Sequence, residues 1–160
     1  MPSTYTPIAT TTLGSNQASV TFNSFGGYTD LVIVINASAT GSDTPSLQFN
    51  GDTSTNYSRT FLFGDGSSAS SGRNSNQSKM IFAGIGTGIS TQIININNYA
   101  NTTTYKTVLY RAGDSSAYTT AIAGLWRKTP EAITSITLNM FAAQSYTTGS
   151  TFTLYGIKAA

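Results

Sequence analysis

Apolar and polar residues alternate along most of this chain, which is typical of strands that turn one face toward a core. Val20 and Phe22 share a face in "ASVTFNSF", and Ile136, Leu138 and Met140 share a face in "ITLNMF". The same pattern predicts further strands in "SLQFNGD", "RTFLFGDG", "TQIININNY" and "STFTLYGIK", and at Thr4–Leu13, Tyr28–Ser38, Lys79–Ile85, Lys106–Ala112 and Tyr118–Trp126.

Gly, Asn and Asp interrupt these runs at the spacing of an antiparallel sandwich or barrel, and no helical period appears. We therefore predict an all-β fold, an antiparallel β-sandwich, with a jelly roll of about ten short strands as the best fit. Residues 26–160 are assigned to a single β-sandwich domain. Residues 1–25 are assigned to an N-terminal segment that can act as an assembly arm, since an extended strand can join a neighbour's sheet. Gly64–Ser78 is predicted to be a long Ser-rich loop.

Two predicted strands are apolar on both faces. Leu31–Ile35 is entirely apolar and Met80–Ile85 nearly so. An antiparallel strand with one face in water should alternate, so the second face of each must be covered. The cover is either a segment of the same chain or a neighbouring subunit.

The stretch "GLWRKTPEAITSITLNM" contains the only Trp of the chain. Gly124 and Trp126 share a face, and Gly124 leaves room for an aromatic ring over the backbone. Pro130 predicts a turn at Lys128–Glu131, and hence a hairpin. Trp126 either caps the core or contacts a sugar or a subunit. Arg127 is either solvated or binds a carboxylate of another subunit.

The composition favours contacts with other proteins. Only 9% of the residues are charged, against about 25% in ordinary domains, and Ser, Thr and Asn take their place. A surface of hydroxyls and amides loses less hydration energy on burial than a charged one. The net charge of +2 is too small for a nucleic-acid footprint. The longest apolar run cannot span a bilayer, and the first ten residues do not resemble a signal peptide. We expect neither nucleic acid nor membrane as a partner.

Several kinds of chemistry lack their usual residues. The chain has no His and no Cys, which excludes Ser-His-Asp and Cys-His catalysis and the normal zinc ligands. "GDSS" (Gly113–Ser116) resembles a hydrolase nucleophile block without its His base. "GIGTG" (Gly84–Gly88) lacks the dinucleotide-binding spacing and predicts a hairpin turn. We expect no enzymatic activity, no cofactor and no metal.

The few carboxylates are predicted to be structural. Glu131 is the only Glu, and the five Asp residues are Asp30, Asp43, Asp52, Asp65 and Asp114. Most of them adjoin Gly or Ser in turn-like sequence, where a short acidic side chain caps backbone N–H groups. A carboxylate pair for glycoside cleavage and a calcium loop are the alternatives, but no ordered Asp-x-Asp-x-Asp loop exists.

Three blocks resemble a group of small virion proteins of tailed bacteriophages, especially those of aquatic bacteria and cyanobacteria. The blocks are "FNGDTSTNYS" (Phe49–Ser58), "GLWRKTPEAITSITL" (Gly124–Leu138) and "FTLYGIK" (Phe152–Lys158), and the likeness extends from about Tyr28 to the C-terminus. The resemblance implies a structural protein of the capsid or tail. It carries over no catalytic residue.

Two functions follow as expectations. The first is a capsid decoration or cement protein that binds the major capsid protein or other virion proteins, as a homotrimer on the capsid surface. The alternative is a carbohydrate- or receptor-binding module of a tail fibre or tail tip, since Tyr and Trp supply stacking surfaces. The residues expected at a protein interface are Pro2, Tyr5, Pro7, Ile8, Trp126 and Arg127.

Overall fold

The computed structural model describes residues 4–114 and 118–158, which form strands and their connections without a helix. The strands are β1 (Tyr5–Thr12), β2 (Ser19–Asn23), β3 (Asp30–Ala37), β4 (Pro45–Phe49), β5 (Tyr57–Gly64), β6 (Ala69–Gln77), β7 (Met80–Ile81), β8 (Ser90–Ile96), β9 (Lys106–Asp114), β10 (Thr119–Trp126), β11 (Ser135–Met140) and β12 (Thr151–Ile157). Two antiparallel sheets pack as a sandwich, so the predicted fold class is confirmed.

The two sheets differ in width. The larger has eight strands in the order β1-β12-β3-β8-β9-β10-β5-β6, and the smaller has four in the order β2-β11-β4-β7. The strands β9, β10, β5 and β6 extend the larger sheet beyond β8, and we call them the wing. The other eight strands pair in a nested way, with β1 on β12, β2 on β11, β3 on β8 and β4 on β7.

The core lies between the sheets because the alternating residues of each strand turn their apolar side inward. Leu31, Ile33 and Ile35 of β3 are fully buried, and so are Ile136 and Leu138 of β11. Each such side chain contributes about 1.5–3 kcal/mol when it leaves water. The period-two pattern thus explains both the strands and the packing of one sheet on the other.

The prediction of a long loop at Gly64–Ser78 is wrong, because β6 occupies most of it. Apart from Ala69 and Gly72, the side chains of β6 are hydroxyls, amides and one guanidinium, so the strand has no apolar alternation to reveal it. It forms by backbone pairing with β5. The turn between them is closed by Asp65, whose Oδ1 accepts the backbone N–H groups of Ser67 (2.9 Å) and Ser68 (2.7 Å).

Two predicted hairpins are also wrong, since both segments cross between sheets. The chain leaves β10 in the large sheet and enters β11 in the small one. Gly84–Gly88 likewise connects β7 of the small sheet to β8 of the large one. The strand predicted at Lys79–Ile85 shrinks to Met80–Ile81. Phe82 and Ile85 are 2% exposed in the connection, which explains an apolar run that does not continue as a strand.

The predicted N-terminal arm adds an edge strand to each sheet of its own chain. β1 pairs with β12 and β2 pairs with β11. Leu13, between these strands, is 6% exposed and belongs to the core. A boundary at residue 25 therefore does not separate the described part of this segment from the sandwich.

Three strand glycines lie beneath bulky side chains. Gly124 packs under the thioether of Met80, so the expectation of an aromatic ring there is wrong. Aromatic rings lie instead over Gly72, covered by Phe61, and over Gly156, covered by Tyr28. A Cβ atom at any of the three positions would collide with the covering group.

Candidate interaction surfaces

Trp126 belongs to the core. Its side chain is 1% exposed, with the ring centroids of Phe49 and Tyr57 at 5.3 and 6.3 Å. The indole Nε1 donates to Oδ2 of Asp52 over 2.7 Å. The structure agrees with the core interpretation of Trp126. Its assignment to a protein interface is corrected, because the buried ring has no surface to offer a partner.

Asp52 is a structural cap. Besides the indole N–H, its carboxylate accepts Nδ2 of Asn56 (2.9 Å) and the backbone N–H of Ser54 (3.0 Å). Burial acts to raise the pKa of Asp52, but the hydrogen bonds from Asn56, Trp126 and Ser54 outweigh burial and hold the pKa below its ordinary value. Backbone N–H groups are also accepted by the other aspartates whose side chains are described, Asp30, Asp43 and Asp65. The capping interpretation is confirmed for these four.

Glu131 lies in a structural contact as well. It accepts Nδ2 of Asn50 and Nζ of Lys128, each over 2.9 Å. The hydrogen bond from Asn50 is the main cause of its lowered pKa, and that from Lys128 is the second. Across residues 4–114 and 118–158, no three acidic, His or Cys side chains are grouped as metal ligands would be.

β1 is a free edge of the large sheet. Tyr5 is 54% exposed and meets Tyr155 edge to face, with centroids 6.4 Å apart. Pro7 is exposed and has no N–H to donate, and a bulge follows it. Ile8, at that bulge, is half-buried against the core. Pro and a bulge both limit strand addition at an edge, which leaves the part beyond Ile8 as the pairing surface. Pro2 lies outside the described residues.

The outer face of the wing carries apolar side chains. Leu62 is 62% exposed and Leu109 is 51% exposed. Ala121 lies directly opposite Leu62, and Ala123 lies directly opposite Leu109. We call these four residues the wing patch. The sequence did not indicate the wing patch, because the pattern of residues does not show which strands are neighbours in the sheet.

β3 was predicted to need cover on its second face. Val32, which points outward, is only 4% exposed. Tyr155 and Asn95 lie directly opposite it on the two flanking strands. Val34, the next outward residue, is half-buried. No described strand packs over this face, yet the described residues of the same chain already shield Val32 from solvent.

Arg127 is not fully solvated, and it forms no ion pair with the described residues. The residue is half-buried, and Nη2 donates to Oδ1 of Asn76 over 2.9 Å. Its Nε is shielded from solvent and has no hydrogen-bond partner among the described residues. Arg127 therefore connects the end of β10 to β6 across the wing. Only its Nη2 donates a hydrogen bond within the described residues.

A cleft opens on the inner face of the wing, which extends past the small sheet. Phe63 and Tyr118 face each other there with ring centroids 5.1 Å apart. Adjoining cavities of about 290 and 260 Å³ share Phe63, Ala83, Gly84 and Thr120 as lining. We call this the wing cleft. The pattern predicted Phe63 to face a core, but the residue is half-buried because the wing is wider than the sheet opposite it.

Comparison with protein-family models, curated proteins and solved structures found no match for this chain. The described part of the chain has no helix that is long and apolar enough to cross a membrane. The function proposed below therefore depends on the residues and their geometry.

Proposed function

We propose that this protein is a structural protein of a bacteriophage virion, a decoration or cement protein that binds the major capsid protein as a trimer. The wing patch carries this proposal. It places two leucines, each more than half exposed, on a sheet face. Exposed apolar groups that adjoin one another are typical of protein-interaction sites. The sequence blocks that resemble phage virion proteins support the same function.

The proposed action is thermodynamic. A protein that binds only the assembled shell stabilises that state by mass action, by about 2.7 kcal/mol at a free concentration of one hundred times Kd. Symmetry repeats the contact over many sites. A surface with few charges suits this task, because few ions must lose water when it is buried.

We further propose that the eight strands outside the wing form a jelly roll. The nested pairing supports this, since the first strand of the eight pairs with the last and each following strand with its counterpart. A long hairpin rolled into two sheets produces that order. The wing is then an elaboration of this frame, and it carries the proposed contact surface.

The test is attachment to mature capsids that lack the protein, measured by co-sedimentation. The wild type should bind. The double variant Leu62→Lys, Leu109→Lys should lose attachment while its circular dichroism spectrum and melting temperature stay normal, since both residues are exposed. Ser19→Lys, at an exposed strand position of the small sheet, is the matched control and should bind. Wild type that stays in the supernatant, or a double variant that binds as well as the control, would refute the proposal.

The wing cleft favours a second function, a carbohydrate-binding module of a tail fibre or tail tip. Phe63 and Tyr118 offer ring surfaces, and Thr120 offers a hydroxyl within the same cleft. Sugar sites combine stacking rings with a few polar groups. A glycan array tests this function. Binding of a glycan by the wild type that Phe63→Ala abolishes, together with no attachment to capsids, would establish the second function in place of the first.

A further inference from the structure

We propose that a groove on the outer face of the wing binds the carboxylates of an acidic peptide segment. The groove has a volume of about 400 Å³, and three arginines are among its lining residues. Arg59 already donates to a side-chain amide and to two backbone carbonyls, so Arg73 and Arg127 are the two that can bind a ligand. Hydroxyls of Ser58, Thr60 and Thr107 line it as well, and none of its lining residues is acidic. Two guanidinium groups near several hydroxyl donors, without an acidic neighbour in the groove, form a site for an anion.

Both arginines have unused donors. The side chain of Arg73 is exposed and has no hydrogen bond or ion pair within the described residues. Arg127 uses Nη2 for Asn76, while its Nε has no partner within the same residues. Because Nε is shielded from solvent, the donor of Arg127 that an entering carboxylate can reach is Nη1, which has no hydrogen bond within the described residues. A guanidinium donates charge-assisted hydrogen bonds to a carboxylate, and these are stronger than neutral ones.

The strand register gives the direction and length of the groove. Arg73 on β6 lies opposite Thr60 on β5, which lies opposite Ala123 on β10. In the neighbouring row, Leu125 on β10 lies opposite Thr107 on β9. The groove thus crosses four strands, or three spacings of about 4.8 Å each. This distance of about 14 Å is the length of about four extended residues.

The lining favours a peptide over a sugar. No aromatic residue lines the groove, so it lacks the stacking surface of a typical sugar site. Ala123 and Leu125 offer apolar contact to the methylene groups of a Glu side chain. That the acidic segment belongs to a protein partner rests on the proposed function, whereas the anion site itself does not.

The probe is the peptide acetyl-Gly-Glu-Gly-Glu-Gly-amide, titrated into the full chain at low ionic strength and followed by calorimetry. We expect a Kd below about 1 mM, and no binding of the matched peptide with Gln in place of Glu. Arg73→Gln, a change at an exposed residue, should weaken binding by about three- to tenfold, and Arg127→Gln by about tenfold or more. Arg111→Gln is the control, because Arg111 is exposed on the same face of the wing but does not line the groove. Its Kd should stay within twofold of the wild type.

Absence of peptide binding, or an equal loss in Arg111→Gln, would overturn the groove assignment. Glucuronate that binds more tightly than the peptide would overturn the choice of ligand. If Arg127→Gln melts below the wild type, the result with Arg73→Gln decides, since the exposed side chain of Arg73 has no hydrogen bond or ion pair within the described residues. Capsid attachment separates this inference from the proposed function. If the protein attaches to capsids but does not bind the peptide, the proposed function stands and the groove assignment is refuted. If it binds the peptide but no capsid, the groove assignment stands and the proposed function is refuted.

Discussion

Replacing Trp126 by Phe tests the structural interpretation of this residue most directly. The substitution keeps an aromatic ring between Phe49 and Tyr57 and removes the N–H that donates to Asp52 over 2.7 Å. A hydrogen bond to a charged acceptor contributes about 1.5–3 kcal/mol. The Phe ring buries about two carbon groups fewer than the Trp ring, and each lost group lowers the free energy of unfolding by about 0.8 kcal/mol. We expect Trp126→Phe to lower the free energy of unfolding by about 3–5 kcal/mol.

A loss of this size is large for a chain of 160 residues. At about 2–4 °C per kcal/mol, the melting temperature should fall by about 6–20 °C. Unfolding in urea, followed by far-ultraviolet circular dichroism, measures the free energy, because the variant lacks the only tryptophan and its fluorescence. Ile89→Ala is the control, since Ile89 is 66% exposed and its truncation should change stability by no more than about 0.5 kcal/mol.

The difference in the free energy of unfolding between wild type and Trp126→Phe should depend on pH, and this dependence identifies the hydrogen bond to Asp52 as its source. The pKa of Asp52 is lowered in the folded chain, so its contribution is present above the unfolded value of 3.8 and is lost as the pH falls through the folded value. Without the indole donor, the folded pKa moves back toward 3.8. The stability gap between wild type and Trp126→Phe should therefore be widest at neutral pH and narrow below about pH 4. A gap under about 0.5 kcal/mol at pH 7, or one that stays constant down to pH 2, would refute this reasoning.

Three further predictions concern the rest of the sandwich. Asp43→Ala should lower the free energy of unfolding by about 2–3 kcal/mol in urea titrations, because its carboxylate accepts backbone N–H groups at its own turn and at Ala142, 3.0 Å away in a distant loop. Gly72→Ala should cost about 1–3 kcal/mol by displacing the ring of Phe61, whereas Gly14→Ala, which meets nothing within 4 Å, should stay close to neutral. A chelator should leave the melting temperature unchanged, because the described residues hold no cluster of metal ligands; a fall of several degrees would contradict this.

The sequence predicted the parts of the fold in which polarity and burial coincide. In β11, inward Ile136, Leu138 and Met140 alternate with half-buried polar residues, and a period of two can be recognised without any structure. The aspartate caps were also predictable, since Asp beside Gly or Ser in a turn satisfies nearby backbone N–H groups.

The strand β6 of the wing could not be predicted in the same way, although the other three strands of the wing were. β6 is held by backbone pairing with β5, and its side chains carry no signal of which face is buried. The crossing after Trp126 was mistaken for a hairpin because Pro130 indicates that a strand ends but not which sheet the next strand joins. The wing patch and the groove arise because β5 pairs with β10, so their residues are far apart in sequence and share no local motif.

The unequal width of the sheets connects the fold to the proposed function. The small sheet has four strands and the large sheet has eight, so the small sheet cannot cover the whole inner face of the large one. Part of the inner face of the wing therefore stays uncovered. Along the inner face the result is the cleft at Phe63, and along the outer face it is a broad surface with Leu62, Leu109 and the groove near Arg127. The wing contributes core residues such as Tyr57 and Trp126 on its inner face, and it adds a wide exposed face on its outer side. A protein that acts by contact requires such a face, and removing its charge or its apolar groups should alter binding without unfolding the sandwich.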